Sequence, residues 1–165
     1  MKKIILYLFP IIAIVSIFIF ININNQSILD INNHEKVALE FKPNKVQCPQ
    51  CNMFLVEKKY TAQAITMDNK THFFDDPGCL VLWIEEKYKG SDKDIVKWVY
   101  TLDTKHWIDA QKAFYSFNDR TPMNYGFGAY EKRVDSHISY DEMRLRMLRG
   151  ENMRNPKIRK KILGY

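Results

Sequence analysis

Hydrophobic and polar positions change rhythm several times along this chain. Residues 4–21 are an uncharged, almost wholly apolar run of 18 residues, interrupted only by Pro10 and preceded by Lys2 and Lys3. At about 1.5 Å per residue such a run just spans a bilayer core of roughly 30 Å. The two lysines favour a cytoplasmic N-terminus and an exported body. A cleaved signal peptide is the competing reading, but no small-x-small cleavage site follows the run, and the first cysteine is Cys48. The expectation is an uncleaved single-pass anchor over 1–21 in the inner membrane, with the body on the periplasmic side. Residues 22–45 are polar and Asn-rich with no sustained period. They read as a linker, with a marginal helix near 34–41 ending at Pro43.

From residue 46 the pattern becomes that of a folded domain. Residues 60–67 alternate as a strand, 68–69 make a turn, and 71–74 return. Asp75 or Asp76 can cap a helix that has Pro77 at its first position. That helix, 77–88, puts Leu80, Trp83, Ile84 and Tyr88 on one face and stops at Gly90. Residues 95–100 read as a strand, and 107–109 and 113–117 as two short ones. Ser139 and Glu142 form a capping box that opens a helix to about Arg149. The order strand, strand, helix, strand, then strand, strand, helix predicts an α+β fold of two small ββαβ-like subdomains, 46–102 and 103–150. The second lacks its last strand, and a basic tail follows over 151–165.

Composition narrows the function classes. Apolar residues make up 46% of the 165 and aromatic residues 13%, enough for a real core. The net charge is +6, and residues 132–165 carry all of it, with ten Lys/Arg against four Asp/Glu. The rest is balanced, so the basic character belongs to a tail and not to a nucleic-acid-binding body. That tail reads either as a solvated helix end with a flexible extension or as a patch for anionic lipid or an acidic partner.

The richest chemistry lies in Cys48-Pro49-Gln50-Cys51-Asn52-Met53. Three sulfur donors in six residues suit a soft d¹⁰ ion such as Cu(I) better than Mg²⁺ or Ca²⁺. Cys51 and Met53, two apart in an extended segment, point the same way and can grip one ion. Zinc sites seldom use thioether sulfur. On spacing alone the alternatives remain a Cys48–Cys51 disulfide, thiol–disulfide exchange, zinc, or no site. Met123, held in a turn between Pro122 and Gly126, is a further sulfur candidate. His72 and His106 are weaker imidazole candidates. Asp75 and Asp76 read as caps, one of them able to hydrogen-bond a ligand. Cys79 reads as a buried small hydrophobe, and Met67, Met143 and Met147 as packing residues.

Five linked segments carry a family resemblance. They are 48–53, Tyr60-Thr61-Ala62-Gln63, Phe73-Phe74-Asp75-Asp76-Pro77-Gly78-Cys79, 107–115 (Trp107 to Tyr115), and Thr121-Pro122-Met123-Asn124-Tyr125-Gly126 continuing to Tyr130. In order and spacing, over about half the chain, they resemble the NosL family of copper-binding accessory proteins for nitrous-oxide reductase. The resemblance implies two ββαβ-like subdomains similar in fold to organomercurial lyase. It also implies Cu(I) held by the Cys-x-Met element, here Cys51 and Met53, and delivered to a copper enzyme outside the cytoplasm.

The expected function is therefore a membrane-anchored Cu(I) chaperone and not an enzyme. Cys51 is its anchoring thiolate and Met53 its second ligand, with Cys48 as auxiliary ligand or redox gate and Met123 as a further donor. Its expected partners are a copper-dependent client, nitrous-oxide reductase, and a copper exporter, and the tether raises its effective concentration near them. The alternative is a tethered thiol–disulfide oxidoreductase using Cys48 and Cys51.

Overall fold

A computed structural model describes residues 12, 14–17, 30–89 and 91–164. The anchor expected over 1–21 falls outside the described residues, except for residues 12 and 14–17, which are helical and exposed. Among the described residues no helix is long and apolar enough to cross a membrane.

Among the described residues from 30 onward there are seven strands and three helices: β1 (Asp30–Asn32), β2 (Ala62–Ile65), β3 (Lys70–Phe74), α1 (Pro77–Tyr88), β4 (Val96–Tyr100), β5 (Trp107–Asp109), β6 (Phe114–Tyr115), β7 (Ala129–Tyr130), α2 (Tyr140–Leu148) and α3 (Pro156–Leu163). The first five form one antiparallel sheet in the order β1-β3-β2-β4-β5. The last two strands pair separately, and Ile138 bridges to Tyr115 at their edge. The α+β class holds.

The central strand explains the layering. All four residues of β2 are buried, so both its faces are covered. Ala62 and Ala64 share a face with Phe74 and His72, their register partners. Phe74 and His72 meet Trp83 of α1 at ring-centroid distances of 5.4 and 4.7 Å. Two alanines in the middle of the sheet let the helix approach closely. The opposite face carries Gln63, Ile65, Thr71 and Phe73, and here the structure corrects the linker expectation. Residues 30–41 are neither tether nor helix: β1 extends the sheet at β3, and the segment after it crosses the second face. Asn33 Nδ2 donates to Thr71 Oγ1 at 2.9 Å, Phe41 packs edge-on against Phe73 at 5.7 Å, and Trp98 Nε1 donates to the Lys36 carbonyl at 3.2 Å. Linker-like composition misled because this segment is held by polar side chains reaching out from the sheet, not by its own apolar periodicity.

Gln63 is the strongest of these ties. Its side chain is fully buried, accepts from the Leu39 amide at 2.9 Å and donates to the Leu39 carbonyl at 2.8 Å. Gln63→Leu leaves both backbone groups without their partner, a loss of about 2 kcal/mol once the half-buried position of Leu39 is allowed for. The expected result is a lower denaturation midpoint with faster amide exchange at Leu39; unchanged exchange there would show that the segment is held by other contacts.

The sheet also runs past the boundary placed at 102/103. Trp107–Asp109 pairs with β4, with Trp98 opposite Asp109, so the first strand assigned to the second unit belongs to the main sheet. The short β6–β7 pair and α2, which packs on α1, make up what remains of that unit. Within the basic tail placed at 151–165, residues 156–163 form α3, capped by Asn155 accepting from the Lys157 amide, opened by Pro156 and closed by Gly164 at φ 77°. Two of its exposed basic residues, Lys160 and Lys161, lie in the last turn, where cations favour the helix dipole.

Candidate metal centre

The sulfur motif forms a tight loop. The Cys48 amide donates to the Met53 carbonyl at 2.8 Å, and the Asn52 amide returns to the Cys48 carbonyl at 2.9 Å. Asn52 adopts φ 62°, a left-handed conformation that asparagine tolerates. On either side Gln47 bridges to Phe54. Backbone N–H groups lie against the sulfurs: the amides of Cys51, within the turn, and of Asp75, outside it, against Cys48, and that of Met53 against Cys51.

Two further donors arrive from the strand–helix junction. Asp75 follows β3 directly, and Cys79 sits in the first turn of α1, four residues on. The ligand atoms of Cys48, Cys51, Asp75 and Cys79 all lie within 4.8 Å of one another. Thiolates about 2.3 Å from a shared ion lie about 4 Å apart, so the four can hold a metal ion after only a small contraction. Cys48 and Cys79 are fully buried, Asp75 is nearly so, and Cys51 is half-buried. The group therefore opens to solvent on the Cys51 side.

Protonation follows from these contacts. The Cys79 thiol beside Cys48 holds Cys48 below the ordinary thiol range, helped by the amides aimed at it. The same contact, then burial, pushes Cys79 far above that range. Burial first, together with the negative charge of Cys48 and Asp75, pushes Cys51 up to about 12, so it is a thiol at neutral pH. Its proton is donated to Asp75 Oδ1 at 3.2 Å. The other carboxylate oxygen, Asp75 Oδ2, is buried with no hydrogen-bond partner. A buried carboxylate oxygen in that state is costly, and a cation placed among the sulfurs relieves it.

Asp76 supplies the floor. It is the helix N-cap, accepting from the Gly78 amide at 2.8 Å through Oδ1 and from the Met123 amide at 3.2 Å through Oδ2. Burial pushes its carboxyl up to about 7. This bond brings the 121–125 loop to the start of α1. Gly78 completes the fit, because a Cβ there would lie 2.4 Å from the Tyr125 ring.

Of the residues singled out in the sequence, Cys48 and Cys51 are brought together. Met53 stands on the solvent side, 42% exposed, and lines a cavity of about 100 Å³ that also reaches Asp75 and Pro122. Met123 is half-buried and is tied through its amide to Asp76. His106 is engaged elsewhere, with Nε2 lying 3.2 Å from Glu131. Met143 and Met147 are core residues, and Met67 is exposed at the hairpin turn. Sequence reasoning set Cys79 aside as a small hydrophobe, and read Asp75 and Asp76 as caps with one of them able to hydrogen-bond a ligand, as Asp75 does with Cys51. The signal that could have found them is their four-residue spacing across a helix start, with Asp76 taking the cap and leaving Asp75 free for the site. No model of a known protein family matches the chain, and no curated protein matches it either.

Proposed function

We propose that this chain is an extracytoplasmic carrier of Cu(I), held at the inner membrane by residues 4–21. The observation that supports it most is the convergence of three cysteine sulfurs and a carboxylate within 4.8 Å, open to solvent on one side, with the exposed Met53 lining a small cavity that Asp75 also lines. Thiolate and thioether donors select a monovalent soft ion. A group half open at Cys51 suits exchange with another protein's ligands, which a closed structural shell does not. In this reading copper is cargo, the chain is not a catalyst, and the resemblance to NosL proteins suggests nitrous-oxide reductase as client and a copper exporter as supplier.

The oxidoreductase alternative fits less well. Thiol exchange needs an accessible thiolate. Here Cys48, the thiol whose pKa is lowered, is fully buried, and the accessible one, Cys51, holds its proton. Zinc has one observation in its favour, since thiolate and carboxylate are both ligands that zinc accepts. Titration of the reduced full chain in detergent micelles, with Cu(I) and a chromogenic chelator, separates the readings. One equivalent of Cu(I) is expected to be retained, and excess Zn²⁺ is expected not to displace it. Loss of copper to weak chelator, or displacement by zinc, would overturn the carrier reading.

A further inference from the structure

We propose that Cu(I) occupies two seats that share Cys51: an outer seat with Met53 at the rim, and an inner seat with Cys48 and Cys79 beneath it. This rests on the Cu(I) carrier reading and adds where the ion enters and where it rests.

The burial gradient carries the inference. Met53 is 42% exposed, Cys51 is half-buried, and Cys48 and Cys79 are at 0%. The sulfur donors thus run from solvent to core, and Cys51 is the member that belongs to both ends. A single exposed Cys-x-Met clasp gives no role to Cys79, which the fold nonetheless brings into the cluster from the first turn of α1. A second observation points inward independently. Asp75 is 97% buried, since only 3% of it is exposed, and its Oδ2 lacks any hydrogen-bond partner. The outer seat leaves that oxygen as it is. Only the inner seat, where Asp75 lies within 4.8 Å of all three cysteine sulfurs, lets that carboxylate bond the ion directly.

Loading then proceeds in two exchanges with no change of oxidation state. In the first, Cys51 loses its proton to solvent and its sulfur bonds copper, with Met53 as the second donor. In the second, the bond to the Met53 thioether breaks, bonds to Cys48 and Cys79 form, and the protons those two thiols carry pass to solvent. The reverse order presents the ion at the rim for a client. A thioether that only receives and releases the ion governs rate, whereas the buried thiolates govern affinity.

The test uses the reduced full chain in detergent micelles, with one equivalent of Cu(I) and ¹³C-methyl-labelled methionine. X-ray absorption is expected to count three sulfur neighbours in the unmodified chain, and the Met53 methyl resonance is expected to stay where it is without metal. Cys79→Ser is expected to weaken binding between about 10- and 100-fold and to move the Met53 resonance, as copper retreats to the rim. Met53→Leu is expected to leave affinity within about threefold while slowing chelator extraction about tenfold. A Met53 resonance that moves at one equivalent in the unmodified chain overturns the inner seat and leaves the carrier reading intact. This readout decides even where Cys79→Ser fails to fold. Failure of the unmodified chain to retain Cu(I) at all removes both readings together.

Discussion

Cys51→Ser is expected to lower Cu(I) affinity about a thousandfold, which is about 4 kcal/mol. The size follows from position. Loss of a group that merely supports a ligand costs roughly 10- to 100-fold in metal affinity, and Cys51 is a donor common to both ends of the cluster. A serine hydroxyl keeps the hydrogen bond to Asp75 Oδ1 that the thiol makes at 3.2 Å, so the fold has little reason to suffer. What disappears is the polarizable sulfur on the open side. Chelator competition on the full chain reads the change directly. An affinity within tenfold of the unmodified chain would show that copper is held without Cys51 and would remove the carrier reading.

The second large effect concerns stability and pH in the reduced, metal-free chain. Burial holds the Asp76 carboxyl at about 7 in the folded state against an ordinary value of 3.8. The sign follows from proton counts. Between these two values the folded chain keeps a proton that the unfolded chain has lost, so unfolding releases it and stability falls as pH rises. The contribution is fully present below pH 3.8 and is lost by the time pH has passed about 7. Three units correspond to about 4 kcal/mol. Asp76→Asn cannot ionise, so its stability relative to the unmodified chain should rise by about that amount from pH 4 to above 7. Urea unfolding at a series of pH values measures the difference. A flat difference curve would show that the amides of Gly78 and Met123 keep this carboxylate ionised despite its burial.

Local chemistry made much of this fold legible. Pro77 after an acidic pair marked the start of α1, and the apolar stripe Leu80, Trp83, Ile84 marked its inner face; both appear as read. Ser139 and Glu142 placed α2 in the same way, with Ser139 accepting from the Glu142 amide. Where partners are distant in sequence, the signal vanished. Nothing local in 30–41 announces that Asn33 will meet Thr71 or that Leu39 will be clasped by Gln63. Trp107–Asp109 looked like a strand, but its choice of β4 as partner is a property of the sheet and not of its own residues. The site divides along the same line. Cys48 and Cys51 announce themselves by spacing, while Cys79 and Asp75 join them only because β3 and α1 are packed against the 48–53 loop.

The contact between Gly78 and the Tyr125 ring bears on any effort to shrink or transplant this protein. The helix start that presents Cys79 has no side chain of its own at residue 78, and a tyrosine some fifty positions downstream fills the vacated space. Asp76 is anchored to the same distant loop through Met123. A fragment cut at residue 102 would retain every cysteine yet forfeit the surface on which their helix is seated. Grafting the sulfur donors onto another scaffold therefore requires carrying the 121–125 loop along with them.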